Sequence, residues 1–214
     1  MFRAWIAVGF LAGGPAQAAL PLSDVLNRME QAQKNLTDVR FEFVQRVRQG
    51  DFPEQRVAGE VFVKRPGLLR VVQKTPEKQV LISDGTTFWL YAPAQKQQLK
   101  GDWKAWLKQS GFPLPLIDFV GTFTPELWRS QYKVMFGGYQ EPLYELRFEP
   151  LHGGVMPLTL WISEESFLPA RGRLQDPGVS VEVLLKGMQP NTELKPSLFV
   201  PRVPEGTEEI PVTF

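Results

Sequence analysis

The sequence predicts a mainly β fold in which a single antiparallel sheet curls on itself and carries a few short helices. From residue 60 to residue 93, apolar and polar residues alternate in four short runs separated by turn sequences such as Pro66-Gly67 and Asp84-Gly85. Five more runs of the same kind follow from residue 132 to residue 186. Strand patterns at this close spacing, without regular helices between them, favour a curled antiparallel sheet over alternating βαβ units.

The other elements follow from changes in period along the chain. Apolar residues recur every three or four positions from Leu20 to Leu36, which predicts a helix, and every second position from Val39 to Val47, which predicts a strand. Residues 102–130 lose the alternation and predict two short helices around a proline-rich apolar stretch, which is unsuited to a strand. The tail from Ser197 to Phe214 is interrupted by prolines and predicts irregular structure on the surface.

The N-terminus has the composition of a secretory signal. Arg3 precedes an apolar stretch from Ala4 to Gly13, and Ala16-Gln17-Ala18 is a small-x-small cleavage site. A buried N-terminal helix is the alternative, although Gly13, Gly14 and Pro15 would end it badly. We expect residues 1–18 to be a signal peptide and residues 19–214 to form one exported domain.

Composition excludes several classes of partner and chemistry. The 24 Lys and Arg nearly balance the 23 Asp and Glu, so overall charge makes no case for a nucleic acid or a strongly anionic membrane as partner. The chain has no cysteine and therefore no disulfide, no thiol nucleophile and no acylated cysteine of the kind that anchors bacterial lipoproteins. An exported protein without disulfides is typical of a periplasm, where the core alone must hold the fold.

Catalytic motifs are nearly absent from the sequence. The single histidine, His152, lies between two predicted strands, where an exposed turn histidine is the simpler interpretation. No G-x-S-x-G, P-loop or G-x-G-x-x-G motif occurs. The Asp84-Gly85 pair is typical of a hairpin turn, and we favour that interpretation over a ligand site. We expect no enzymatic activity, no metal and no cofactor, and we keep an exported all-β hydrolase as an alternative because carboxylate pairs can come from distant positions.

One charged side chain interrupts the apolar pattern of the strand that ends at Pro66. Period-two parity places Val61, Val63 and Arg65 on the same face. If that face is the inner one, the guanidinium enters an apolar interior, which is costly unless it is hydrogen-bonded. Arg65 therefore either has a functional role or lies at the rim of the sheet.

Trp103 and Trp106 also allow two interpretations, because short helices with large apolar faces either cap an ordinary core or close a cavity.

These residues together give the chain a resemblance to a known family. The sequence resembles the periplasmic outer-membrane lipoprotein carrier family (LolA) over nearly all of the predicted mature chain. The resemblance lies in F-x-F-x-Q from Phe41 to Gln45, G-x-x-x-V-K-R-P from Gly59 to Pro66, and S-D-G-x-T-x-W-x-Y from Ser83 to Tyr91. A weaker match runs from Phe199 to Gly206.

The resemblance implies an incomplete, half-open antiparallel β-barrel of about eleven strands, with short helices forming a lid over an apolar cavity. It implies that acyl chains contact Phe41, Phe43, Val61, Val63, Leu69, Val71, Trp89 and Tyr91. The implied lid carries Trp103, Trp106, Leu114, Leu116 and Ile117. It makes Arg65 the latch of the lid, with hydrogen bonds to carbonyl groups near Leu114 to Ile117. At Leu69 and Val71 the family has larger, aromatic residues.

The function implied is that of a monomeric, non-enzymatic periplasmic carrier and chaperone. Its cargo would be acylated lipoproteins, received from an inner-membrane ABC-type release complex and passed to an outer-membrane lipoprotein receptor. A lipid-sensing or lipopeptide-sensing binding module of the same fold is the main alternative.

Overall fold

The computed structural model describes residues 19–109, 129–153 and 156–213, and these form one wide sheet with helices on one face. The two α-helices are α1, Leu22–Lys34, and α2, Trp103–Gln109. The strands are β1 Asp38–Gln49, β2 Gln55–Lys64, β3 Leu68–Thr75, β4 Gln79–Ser83, β5 Thr87–Ala92, β6 Gln97–Asp102, β7 Tyr132–Gln140, β8 Leu143–Pro150, β9 Leu158–Ser163, β10 Pro169–Asp176, β11 Val179–Pro190 and β12 Glu208–Val212. The predicted signal peptide and the predicted lid residues Leu114, Leu116 and Ile117 lie outside the described residues.

The strands form a single open sheet in the order β12-β6-β5-β4-β3-β2-β1-β11-β10-β9-β8-β7. All neighbouring pairs are antiparallel except β12 and β6. Apolar side chains from both halves of the sheet join one buried cluster with α1, so the sheet wraps around a common core. The prediction of a mainly β fold with a curled antiparallel sheet and short helices is confirmed.

The prediction of an irregular C-terminal tail was wrong in one segment. Residues Glu208–Val212 pair in parallel with β6, with Ile210 opposite Leu99. This pairing satisfies the edge of β6, which would otherwise present free N–H and C=O groups. Pro211 is tolerated because β12 is itself an edge strand and needs hydrogen bonds on one side only.

Parity and burial distinguish an inner and an outer face of the sheet. Phe41 and Phe43 on β1 alternate with exposed residues and are buried beneath α1, whose Val25 and Met29 belong to the same cluster. The inner face is thus the side that α1 and α2 cover. No helix in the described part of the chain is long and apolar enough to cross a bilayer.

The C-terminal segment covers part of the outer face. A 3-10 turn at Pro196–Phe199 lies against β3, where Nη1 of Arg70 donates to the carbonyl oxygen of Leu198 at 3.1 Å. Ile82, which pairs with Arg70 from β4, is buried although it belongs to the outer face. Around β3 and β4 the sheet is therefore covered on both faces.

Candidate functional site

A small, largely apolar cavity lies between α2 and the inner face of β3, β4 and β5. Its volume is about 130 Å³. Its described walls are formed by Val71, Gln73, Gln79, Leu81, Leu90 and Trp106. The two glutamines face each other across β3 and β4 and give the cavity one polar end. Since sites that enclose a small ligand usually measure about 300–1,000 Å³, an acyl chain needs more room than this cavity offers.

The roof of the cavity is α2, which is fixed at its start and through its tryptophans. The carboxylate of Asp102 accepts a hydrogen bond from the backbone N–H of Ala105 at 2.7 Å, which caps the helix. The rings of Trp103 and Trp106 stack with centroids 5.3 Å apart, and Trp106 lies 5.3 Å from the ring of Phe88. The two tryptophans therefore cover β5, and Trp106 lies beside the described cavity.

Arg65 lies on the inner face, as strand parity predicted, and contacts α1. Its Nη1 donates to the backbone carbonyl oxygen of Gln33 at 2.6 Å, and its Nη2 donates to Oε1 of Gln33 at 2.9 Å. The cation also meets the carbonyl end of the helix, where the macrodipole favours positive charge. Burial lowers the pKa of Arg65, but a guanidinium remains protonated in proteins. These contacts tie the sheet to α1; the predicted contacts with residues 114–117 fall outside the described residues.

Gln33 is a site residue that sequence reasoning missed. The buried residues of α1 are Val25, Met29 and Gln33, which follow one another at four-residue intervals on one stripe. A polar side chain on a buried apolar stripe needs a buried hydrogen-bonding partner. That signal is present in the sequence, and Arg65, which directly follows β2, is the matching group.

Further contacts hold the middle of α1 to its surroundings. The guanidinium of Arg28 lies 5.2 Å above the ring of Phe167, which stacks on Tyr144 at 6.2 Å. Arg129 reaches Glu30 at 3.3 Å. Such contacts at partly exposed positions are individually weak, so they add only modestly to the apolar packing of Val25 and Met29 that holds α1 against the sheet.

The predicted cavity residues divide into two groups. Those on β1, β2 and β3 are all buried on the inner face: Phe41, Phe43, Val61, Val63, Leu69 and Val71. Trp89 and Tyr91 require correction, because the register of β4 and β5 places Trp89 opposite the outer-face residue Ile82. The inner residues of β5 are Phe88 and Leu90, which pack against the core cluster. The run Phe-Trp-Leu-Tyr contains no polar residue, so alternation could not distinguish the two faces of β5.

The fold and this cavity together define a class of protein: an open, curled antiparallel sheet whose apolar inner face is covered by separate helices. The family model described as "Outer membrane lipoprotein carrier protein LolA" matches residues 34–202. The chain belongs to this family of lipoprotein carriers.

Two relatives show how far this similarity extends. An outer-membrane lipoprotein carrier protein of Photorhabdus laumondii is 28% identical over 152 residues, which cover 71% of this chain and 70% of the relative. One from Yersinia pestis is 26% identical over 190 residues, covering 88% of this chain and 89% of the relative.

Solved structures share the fold at lower sequence identity. An uncharacterized conserved protein from Thermus thermophilus superposes with a TM-score of 0.59 at 14% identity, covering 89% of this chain and 98% of that one. MucB superposes with a TM-score of 0.54 at 17% identity, covering 84% of this chain and 62% of MucB. At these identities the likeness concerns the fold alone.

Proposed function

We propose that this protein is a periplasmic carrier that shields the acyl chains of lipoproteins against the inner face of its sheet. The observation that carries the proposal is the apolar inner face, which lies beneath separate helices that pack on it and are joined to it by the Arg65–Gln33 contact. Membership of the carrier family supports the same role. Cargo would arrive from an inner-membrane release complex and leave to an outer-membrane receptor, after residues 1–18 had directed export and been removed.

The energetics of such a carrier follow from the size of the cavity. Each methylene of an acyl chain is worth roughly 0.8 kcal/mol when it leaves water. The described cavity of about 130 Å³ is smaller than an acyl chain, and in this proposal α1 and α2 move away from the sheet as cargo enters. Opening breaks the Arg65–Gln33 contact and therefore offsets part of the transfer energy. Binding weaker than the full transfer energy is what permits release.

The acyl-chain surface in this proposal consists of the inner-face residues of five strands. It contains Phe41, Phe43, Val61, Val63, Leu69, Val71, Leu81, Phe88 and Leu90. Trp103 and Trp106 belong to the cover, together with Leu114, Leu116 and Ile117, whose role stays a prediction from the family resemblance.

A polar group placed in the cavity should weaken cargo binding. We expect Leu90→Gln to reduce affinity for a fluorescent palmitoylated peptide about tenfold, because an amide buried without a partner costs about 1–3 kcal/mol. Leu90 lines the cavity without being fully buried, so the variant should fold. Equilibrium fluorescence titration measures the effect.

Leu184→Gln is the matched control, because Leu184 lies on the outer face and is 38% exposed. It should bind the peptide like the unchanged protein. Equal weakening in both variants would contradict binding at the inner face. Tight binding without transfer to a purified acceptor would favour the sensor alternative over the carrier.

A further inference from the structure

The outer face of the sheet carries a basic surface on the side away from α1 and α2. We call it the arginine face, and it consists of Arg46, Arg48, Arg56, Arg147, Arg171 and Arg173. Three carboxylates lie among these arginines: Glu54, Glu145 and Glu182. The local excess is three positive charges, whereas the whole chain has a net charge of +1. Within this set the positive charges therefore outnumber the negative ones, although the whole chain is close to neutral.

Strand register brings these side chains together. Arg46 on β1 stands directly opposite Arg56 on β2 and opposite Glu182 on β11. Glu182 in turn stands opposite Arg173 on β10. From β2 to β8 the arginine face crosses six neighbouring strands, which is a width of about 24 Å.

The charges on this face are incompletely neutralised. Arg46 and Arg56 form a like-charged cross-strand pair, an arrangement that destabilises a sheet. The carboxylate nearest to Arg46 is Glu54 at 3.9 Å, and Glu54 also pairs with Arg48 at 2.6 Å. Arg56 is exposed and makes no ion pair with any residue that the structure describes. The pair therefore costs folding stability, and the described contacts offset little of that cost.

The centre of the arginine face is more ordered and includes apolar groups. The guanidinium carbons of Arg171 and Arg173 lie 4.4 Å and 5.4 Å from the ring centre of Trp161. Both arginines also pair with Glu182, at 2.9 Å and 3.2 Å. Leu184 is 38% exposed in the neighbouring strand, on the same outer face.

We propose that the arginine face docks this protein onto a bilayer surface rich in anionic phospholipids. Its width exceeds what a single phosphate group could contact and fits an array of headgroups. Arginine forms forked hydrogen bonds with phosphate oxygens, and an exposed apolar side chain such as Leu184 inserts at the boundary of headgroups and acyl chains. Because α1, α2 and the cavity lie on the other face, a docked molecule keeps its cargo site open to water.

The test is partition of the purified protein into vesicles. Binding is measured by flotation with vesicles of phosphatidylethanolamine and phosphatidylglycerol, and with neutral phosphatidylcholine vesicles as reference. We expect the double variant Arg46→Gln/Arg56→Gln to bind the anionic vesicles about thirtyfold less, since each basic residue at such a surface contributes roughly fivefold. Its thermal midpoint should be unchanged or higher, because the substitutions remove a repulsive pair.

The control is Lys78→Gln/Lys104→Gln, which changes net charge equally at two exposed sites outside the arginine face. It should bind vesicles within about twofold of the unchanged protein, because its lysines do not approach the docked surface. Equal losses in the two double variants would overturn the proposal, as would an absence of binding to anionic vesicles at low salt. Binding of soluble poly-glutamate, lost in the arginine variant, without any vesicle binding would also overturn it and assign the face to an acidic polypeptide.

Discussion

Replacing Arg65 with leucine should free α1 from the sheet, tighten the hold on cargo and slow its onward transfer. The substitution removes two hydrogen bonds from a charged donor to Gln33, which we expect to ease opening by about 2 kcal/mol. Apparent affinity rises with the population of the open state, so an acylated peptide should bind up to about thirtyfold more tightly. Dissociation rates and transfer to a purified acceptor measure the two effects.

Arg70→Leu is the matched control for this experiment. Arg70 is also partly buried and also donates to a backbone carbonyl oxygen, that of Leu198, but on the outer face. Burial lowers the pKa of both arginines, so the two substitutions remove comparable groups. Equal or faster transfer by the Arg65 variant, or equal behaviour of both variants, would refute a latch at Arg65.

Truncating Phe88 to alanine should produce the largest loss of stability near the site. The side chain is 0% exposed, contacts Trp106 and lies against Gly101 of the neighbouring strand. Removing a buried phenylalanine ring typically costs about 3–5 kcal/mol. Urea denaturation should show this as a lower free energy of unfolding.

Phe52→Ala makes the same chemical change at a position that is 73% exposed. Its free energy of unfolding should stay within about 0.5 kcal/mol of the unchanged protein. Similar urea midpoints for the two variants would show that the side chain of Phe88 does not face the core. The assignment of the inner face of β5 would then be wrong.

The sequence predicted most readily those features that depend on local period. Alternation along β1 and β2 placed Phe41 with Phe43, and Val61 with Val63, on shared faces, and in the structure all four are buried. It also placed Arg65 on the face of Val61 and Val63, which the contact with Gln33 confirms. In these strands one face is buried and the other is exposed, so the polarity of each residue indicates which face its side chain is on.

The predictions from sequence were wrong where the polarity pattern of a segment does not show how it packs in the folded chain. In β5 the run Phe-Trp-Leu-Tyr has no polar residue to mark a face, and the family resemblance placed Trp89 on the inner side, whereas the strand register places it on the outer one. The pairing of β12 with β6 could not be predicted either, because Pro211 marks the segment as a poor strand former and its partner lies about a hundred residues earlier.

By itself the sequence determined the fold class, the inner and outer faces of the half-exposed strands, and an unusual inward-facing cation. Only the tertiary structure decided that α1 receives the cation through Gln33, that β12 completes an edge, and that six arginines converge on one outer surface. The physical reason is that a periodic pattern depends only on residues that are close together in the sequence. Hydrogen-bond partners, covered faces and local charge depend instead on residues brought together by strand register.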